Sequence, residues 1–245
     1  TIEEARKAAI KPERTTSLGQ TLLLIDPMVG ATNEFTMGAP RRDAGRGANE
    51  VERPVALTRA FYLSTTEVTN AQFRQFTRNH ESGQAGGKSL NREHQPAVQL
   101  SWQQAASFCN WLSAREGLAA FYTEKDGIIT GFDASSQGYR LPTEAEWAFA
   151  SRLHEGVTRR FAWGDAWPPE NGVANLADAS SAIVTGRIIK GYSDNAPVNA
   201  AVGKFPPTPR RLYDMGGNVA KWVKDVYSMA VPGDAWEEHP IGHTL

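Results

Sequence analysis

The sequence predicts an α+β fold: one loop-rich domain in which short helices and strands are joined by long connections. Three observations carry this. Glycine (22) and proline (14) are spread along the whole chain, so turns interrupt every periodic segment. Three helix starts share one construction, a Ser or Thr followed three residues on by Gln or Glu. The apolar runs are strand-sized, Leu22 to Ile25 being the longest. This pattern favours a compact α+β domain over a helix bundle or a doubly wound sheet. With 245 residues, 40% hydrophobic and 22% charged, the chain is long enough for one large domain with its own core.

The elements follow in order. Residues 1–19 read as a leader or linker, a charged helix followed by KPERTTS, and the domain proper as 20–245. Strands are expected at 20–27 and 34–39 around a turn from Pro27 to Asn33, then a polar loop over 40–50. A strand over 53–63 carries Val55, Leu57, Phe61 and Leu63. Thr69 with Gln72 forms a capping box for a helix over 70–79, with Val68 and Phe73 at the spacing of a hydrophobic staple. Ser101 with Gln104 opens a helix over 102–115, where Trp102, Ala105, Ala106, Cys109 and Leu112 share one face. Thr143 with Glu146 opens a third over 144–152, and Glu144 and Glu146 suit the positive end of its dipole. Between the first two helices lies a long polar loop; residues 123–138 read as a hairpin with turns near Asp126-Gly127 and from Asp133 to Gly138. Beyond 153 the pattern fades into turn-and-aromatic punctuation at Trp163-Gly164-Asp165, Trp167-Pro168-Pro169 and Phe205-Pro206-Pro207, with a last ordered stretch over 214–226 and a polar tail. Trp102, Trp111, Trp147, Trp163 and Trp222 read as core, and Trp167 and Trp236 as exposed.

Several function classes find no support. Net charge is −1 and the arginines cluster only in pairs, so nothing points to nucleic acid or to an anionic membrane surface. No apolar run reaches membrane-spanning length. The single cysteine, Cys109, forms no internal disulfide and no zinc motif, and reads as a small buried hydrophobe. The five histidines (His80, His94, His154, His239 and His243) lack facial-triad spacing and read as surface residues. No nucleophile elbow, Walker motif or dinucleotide fingerprint is present.

Ordered blocks carry a more specific signal. Phe35 to Gly38, Glu67-Val68-Thr69-Asn70-Ala71-Gln72-Phe73, Pro96 to Trp102 with Ala105, Cys109 and Trp111, Arg140-Leu141-Pro142-Thr143-Glu144-Ala145-Glu146-Trp147, Phe161 to Gly164, Ala174-Asn175, Ala196 to Pro207, and Leu212 to Asn218 follow one another through residues 20–227. The chain thus resembles the sulfatase-modifying-factor family, to which the formylglycine-generating enzyme belongs. The resemblance implies a C-type-lectin-like fold with little regular secondary structure. It also implies an oxidase that binds copper through paired cysteines in a C-terminal segment after an RGGSW strand. Here no cysteine follows Cys109, and residues 227–245 do not resemble that segment. Cys109 falls on a helical cysteine that exported relatives pair with that segment.

The resemblance further implies two calcium sites. One draws on Asn175 and on an aspartate where this chain has Lys190; the other draws on Asp214, Gly217 and a glutamate where this chain has Lys221. Two roles are open to these lysines: an ammonium in a cation's place, or surface residues of lost metal sites. The expected function is a non-catalytic module binding a protein partner, with a peptide or small-molecule ligand as the other class. It would need no cofactor, and would serve as a subunit of an envelope complex, exported or periplasmic by resemblance alone. The alternative is an oxidase of the same family, formylglycine-generating or non-haem iron in type, using calcium or copper.

Overall fold

A computed structural model describes residues 11–29, 32–43, 45–226 and 237–238. Strand β1 (Glu13–Thr15) turns back through Gly19, which holds a left-handed φ of 76°. It pairs antiparallel with β2 (Thr21–Ile25), Glu13 lying opposite Leu23. The buried Thr16 hydroxyl closes this turn by accepting from the amides of Leu18 and Gln20. The sheet therefore begins inside the segment expected as leader; the helical part of that segment lies outside the described residues.

Strand β3 (Glu34–Met37) does not form a hairpin with β2. It pairs with β4 (Arg53–Ala56), while β5 (Phe61–Ser64) pairs with β2. The strand expected over 53–63 is thus two strands in two sheets, broken after Leu57, whose amide and carbonyl are both taken by Asn33. A short parallel strand, Glu237–Glu238, adds to β4.

The main core forms where these sheets meet the third helix. In β3, Phe35 and Met37 point inward while Glu34 and Thr36 face water. They join Leu23, Ile25, Val55 and Leu57 against Ala145, Ala148 and Phe149 of the helix, with Leu153, Leu212 and Met215 completing the cluster.

All three helices start where the sequence places them, with reciprocal capping boxes. Helix α1 spans Asn70–Phe76, α2 Trp102–Arg115 and α3 Glu144–Arg152. α1 stops three residues short of 79 because Thr77 turns extended. Phe73, Phe108 and Leu112 pack α1 on α2; the other face of α2 sets Ala106 and Cys109 against Phe121, Tyr122 and Ile129 of the expected hairpin. Its strands run Tyr122–Lys125 and Ile128–Phe132.

The long polar loop after α1 is organised by a residue with no solvent exposure. The Asn70 amide donates to the carbonyls of Leu90, Arg92 and Gln95, and its oxygen accepts from Ser82. Ser82 in turn meets His80 Nε2 at 3.1 Å. His80, expected at the surface, is buried edge-on against Phe73, and burial lowers its pKa. After α3 a short hairpin (Leu153–His154 with Val157–Thr158) leads into chain that is almost wholly irregular. Its described exceptions are a 3-10 turn at Ala179–Ser181, the single-turn helix α4 (Ala182–Thr185) and the strand Glu237–Glu238. No helix among the described residues is long and apolar enough to cross a membrane.

Candidate functional site

The Arg140–Trp147 block closes on one carboxylate. Glu146 is buried at the third position of α3. Its Oε2 accepts from the Thr143 amide at 2.8 Å and from Arg140 Nη1 at 2.7 Å; its Oε1 accepts from Arg140 Nη2 at 2.5 Å. The residue read as half of a capping box is therefore also the acceptor of a two-pronged arginine fork. The same block anchors the C-terminal loop: the Lys224 amide donates to Pro142 O, and Asp225 accepts from the Glu144 amide at 2.7 Å. This arrangement has the marks of a bracket: the Arg140 fork, the Thr143 amide and the Glu144 amide are all spent on the fold.

A second buried charge cluster lies in the loop from Asp214 to Lys221. Asp214 and Asn218 sit at positive φ, and a Cβ on Gly217 would lie 2.5 Å from Asn175 O, so the loop is wound tightly on itself. Lys221 threads into it. Its ammonium donates to the carbonyls of Asp214 and, at 2.6 Å, of Gly217, and stands 3.0 Å from Glu67 Oε1. The ammonium thus bonds two carbonyls and faces one carboxylate. The balance of charge is still negative. Asp214 Oδ2 accepts from the Gly203 amide at 2.8 Å, but its Oδ1 is buried with no hydrogen-bond partner, and the Glu67 carboxylate receives only the charge contact with Lys221. Burial pushes the Glu67 carboxyl up to about 7, against the pull of Lys221, with Asp214 adding to the rise.

These are the positions that the resemblance assigned to calcium. A calcium ion takes six to eight oxygen ligands. Here a covalently tethered cation already holds the carbonyls of Asp214 and Gly217, so the residues present do not fit the ion. Of the two roles open to Lys221, the geometry is that of an ammonium in a cation's place. Lys190 is different: it lies exposed on the surface. Asn175, its partner in the other set, spends its amide on Val198 O at 2.8 Å and Asn218 Oδ1 at 3.1 Å. Among the described residues no three His, Cys, Asp or Glu side chains gather as a metal site. Trp222, read as core, is 50% exposed: with Lys221 turned inward its neighbour faces out, keeping only a bond from Nε1 to Leu100 O.

Cys109 lies on the buried face of α2, as its helical stripe implies. Burial pushes its thiol up to about 12, outweighing the opposing effect of Arg140. A thiol so placed stays protonated and inert at neutral pH.

The irregular part of the chain also lines a half-open cavity of about 410 Å3. Trp163, Phe205, Pro206, Pro207, Leu212 and Met215 form its apolar walls, with His154, Glu155, Arg159, Thr208 and Asp214 as the polar members. Gly216 lets the wall close, since a Cβ there would lie 2.8 Å from the Trp163 ring. Outside it Phe161 stacks on Trp163 at 4.9 Å and meets Trp167 at 5.4 Å, and Trp167 is exposed as expected. The sequence marks these residues as block matches and turn punctuation, and does not show that they share one cavity. Glu67 is a site residue that the sequence reading misses; the signal for it is an acid immediately before the staple residue Val68. His239, His243 and Trp236 lie outside the described residues.

Comparison with known proteins places this geometry. The chain is 26% identical over 195 residues to the chaperone protein LppX of Paenibacillus barcinonensis, covering 74% of this chain and 64% of that protein. It is 30% identical over 143 residues to the formylglycine-generating enzyme of Mus musculus, covering 57% of this chain and 30% of the enzyme. The Mus musculus inactive C-alpha-formylglycine-generating enzyme 2 is also 30% identical, over 137 residues, covering 55% of this chain and 34% of that protein. The chain therefore spans about a third to two thirds of the length of these relatives. Among solved structures, Treponema denticola variable protein 1 superposes with a TM-score of 0.69 at 22% identity, covering 96% of this chain and 84% of that one. PvdO from Pseudomonas aeruginosa gives 0.64 at 21%, covering 94% and 83%. The fold is theirs, a mixed α/β domain with little regular secondary structure. The model of the sulfatase-modifying factor enzyme 1-like domain matches residues 21–238, and the chain belongs to that family.

Proposed function

We propose that these 245 residues form a non-catalytic binding module on the formylglycine-generating-enzyme frame. The observation that carries this is the chemistry of Cys109. Copper-dependent thiol oxidation needs two thiolates near one soft ion. The chain has one thiol, which is buried and held protonated. The tethered Lys221 cation supports the same reading, since it keeps the frame's loop closed with no calcium. The cavity beside Trp163 and the prolines is the proposed ligand site, suited to an apolar side chain of a protein or peptide partner. The relative named as a chaperone supports a protein partner; an envelope location rests on the family alone.

The test is to incubate the folded chain with copper(I) and a cysteine-containing peptide, following the thiol by mass spectrometry. No aldehyde product is expected; turnover that disappears in Cys109→Ala overturns the proposal. The second reading, an oxidase of the same family, is favoured by the fraction of the mouse enzyme matched, 30% of its length. A native protein several kilodaltons heavier than 26.8 kDa, carrying a cysteine pair, would favour it.

A further inference from the structure

The chain from Asp178 to Asn195 is firmly anchored at its base and apolar at its tip. Asp178 is buried. Its Oδ1 accepts from the amides of Ser180 (2.7 Å) and Ser181 (3.2 Å), its Oδ2 from those of Asp194 (2.9 Å) and Asn195 (3.1 Å). Burial alone would raise this carboxyl; the bonds from Ser180, Asp194 and Asn195 hold it down to about 2. The Ile189 amide adds a bond to Ala177 O at 2.7 Å.

On this base α4 and the turn after it carry aliphatic side chains into water: Ile183 is 80% exposed, Val184 39% and Ile188 43%. The tip is backed by a small hairpin, Gln84–Ala85 with Lys88–Ser89. The turn glycine Gly86 lies so close that a Cβ there would sit 2.8 Å from Val184 and 3.2 Å from Ile183. Stretches 83–90 and 179–192 contain Lys88, Arg187 and Lys190, all exposed, and neither contains an Asp or Glu. The overall charge of −1 hides this local excess of positive charge.

The shape and chemistry select the occupant. Protein hot spots favour Trp, Tyr and Arg in desolvated pockets. This tip is exposed and lies outside the cavity beside Trp163, and its exposed apolar members are all aliphatic. Aliphatic side chains flanked by Lys and Arg match a bilayer surface, where phosphates meet the cations and the headgroup boundary takes the hydrocarbon. We propose that the Ile183–Lys190 loop, backed by the Gly86 hairpin, docks this domain on an anionic lipid bilayer.

Vesicle co-sedimentation of the full chain tests it. Vesicles of phosphatidylcholine with about 30% phosphatidylglycerol should bind about tenfold more tightly than phosphatidylcholine alone, and added salt should weaken the binding. Ile183→Asp, and separately Arg187→Glu with Lys190→Glu, should each cut binding about tenfold or more while leaving the melting temperature unchanged, because these side chains are exposed. Equal binding to neutral vesicles, no binding to acidic ones at millimolar lipid, or full binding by Ile183→Asp would overturn it. So would a dimer in solution that Ile183→Asp abolishes. None of these outcomes bears on thiol oxidation, so the docking proposal and the non-catalytic reading fail separately.

Discussion

Two parts of this molecule are stabilised in different ways. From Asn70 to Arg152 the helices begin with capping boxes, in which a side chain and an amide three residues apart satisfy each other. From Arg159 to Val226 there is almost no regular structure, and backbone groups are satisfied by single side chains, buried (Asp178, Asp194) or half-buried (Asn175, Asn218, Lys221). Helices distribute their stability over many weak local contacts. The irregular part concentrates it in a few charged or amide groups, each closing a loop from a distance, so single substitutions there should act more severely.

The sharpest test of that contrast is Lys221→Met. It leaves Glu67 and Asp214 buried with no cation and takes the ammonium from two carbonyls, of which Gly217 O keeps the Val219 amide. Breaking a buried pair this way costs about 3–5 kcal/mol. Glu146→Ala should fall in the same range, because it strands the partly buried Arg140 fork as well as losing a cap. Denaturant titration measures both. A cost below about 1 kcal/mol for Lys221→Met would mean that the loop's stability is distributed after all.

Glu67 offers a test by pH. Its folded pKa, about 7, lies above the usual 4.5, so between these values the native state holds a proton that the unfolded chain has released. Its contribution is therefore full below about 4.5 and lost as pH rises through about 7. Stability of the wild type relative to Glu67→Gln should decline across that window and flatten above it. A difference that does not change with pH would show that Lys221 keeps Glu67 ionised throughout.

The legibility of the sequence divides along the same line. The three caps and the hairpin around Asp126-Gly127 could be read because every participant lies within a few residues. The Lys221 knot could not, because its acceptors come from residues 67, 214 and 217. The sequence showed a base where the family has an acid, and left both fates open. Lys190, the same substitution in the other loop, met the opposite fate, and only the fold separates the two. The strand break after Leu57 was hidden because its cause, Asn33, belongs to another strand turn. The burial of His80 was hidden because its partners depend on how Asn70 gathers the polar loop.

In the helical part the expected effects are smaller. Thr143→Ala removes one side-chain acceptor from the Glu146 amide at 3.0 Å, and should cost about 0.5–2 kcal/mol. Ser101→Ala, at an exposed cap, should fall at the lower end of that range. Any binding activity should survive both in proportion to the folded fraction. A Thr143→Ala protein that folds normally yet loses binding would move this block from bracket to site.

The smallest expected effect is that of calcium. A ion bound only by the native state raises stability in proportion to the logarithm of its concentration over its dissociation constant. With the Lys221 ammonium already on the carbonyls of Asp214 and Gly217, that loop does not offer the oxygen shell such binding requires. Thermal unfolding in millimolar calcium and in chelator should therefore coincide within about a degree, against shifts of several degrees for a ligand at saturating concentration. The informative control is Lys221→Glu, which restores the acid of the family. In chelator that variant should be strongly destabilised, because three carboxylates then share one buried site. Calcium should recover part of the loss, and recovery in the variant alone would show that the tethered cation and the metal are alternatives for one position. A calcium shift of several degrees in the wild type would instead place the ion elsewhere in the chain.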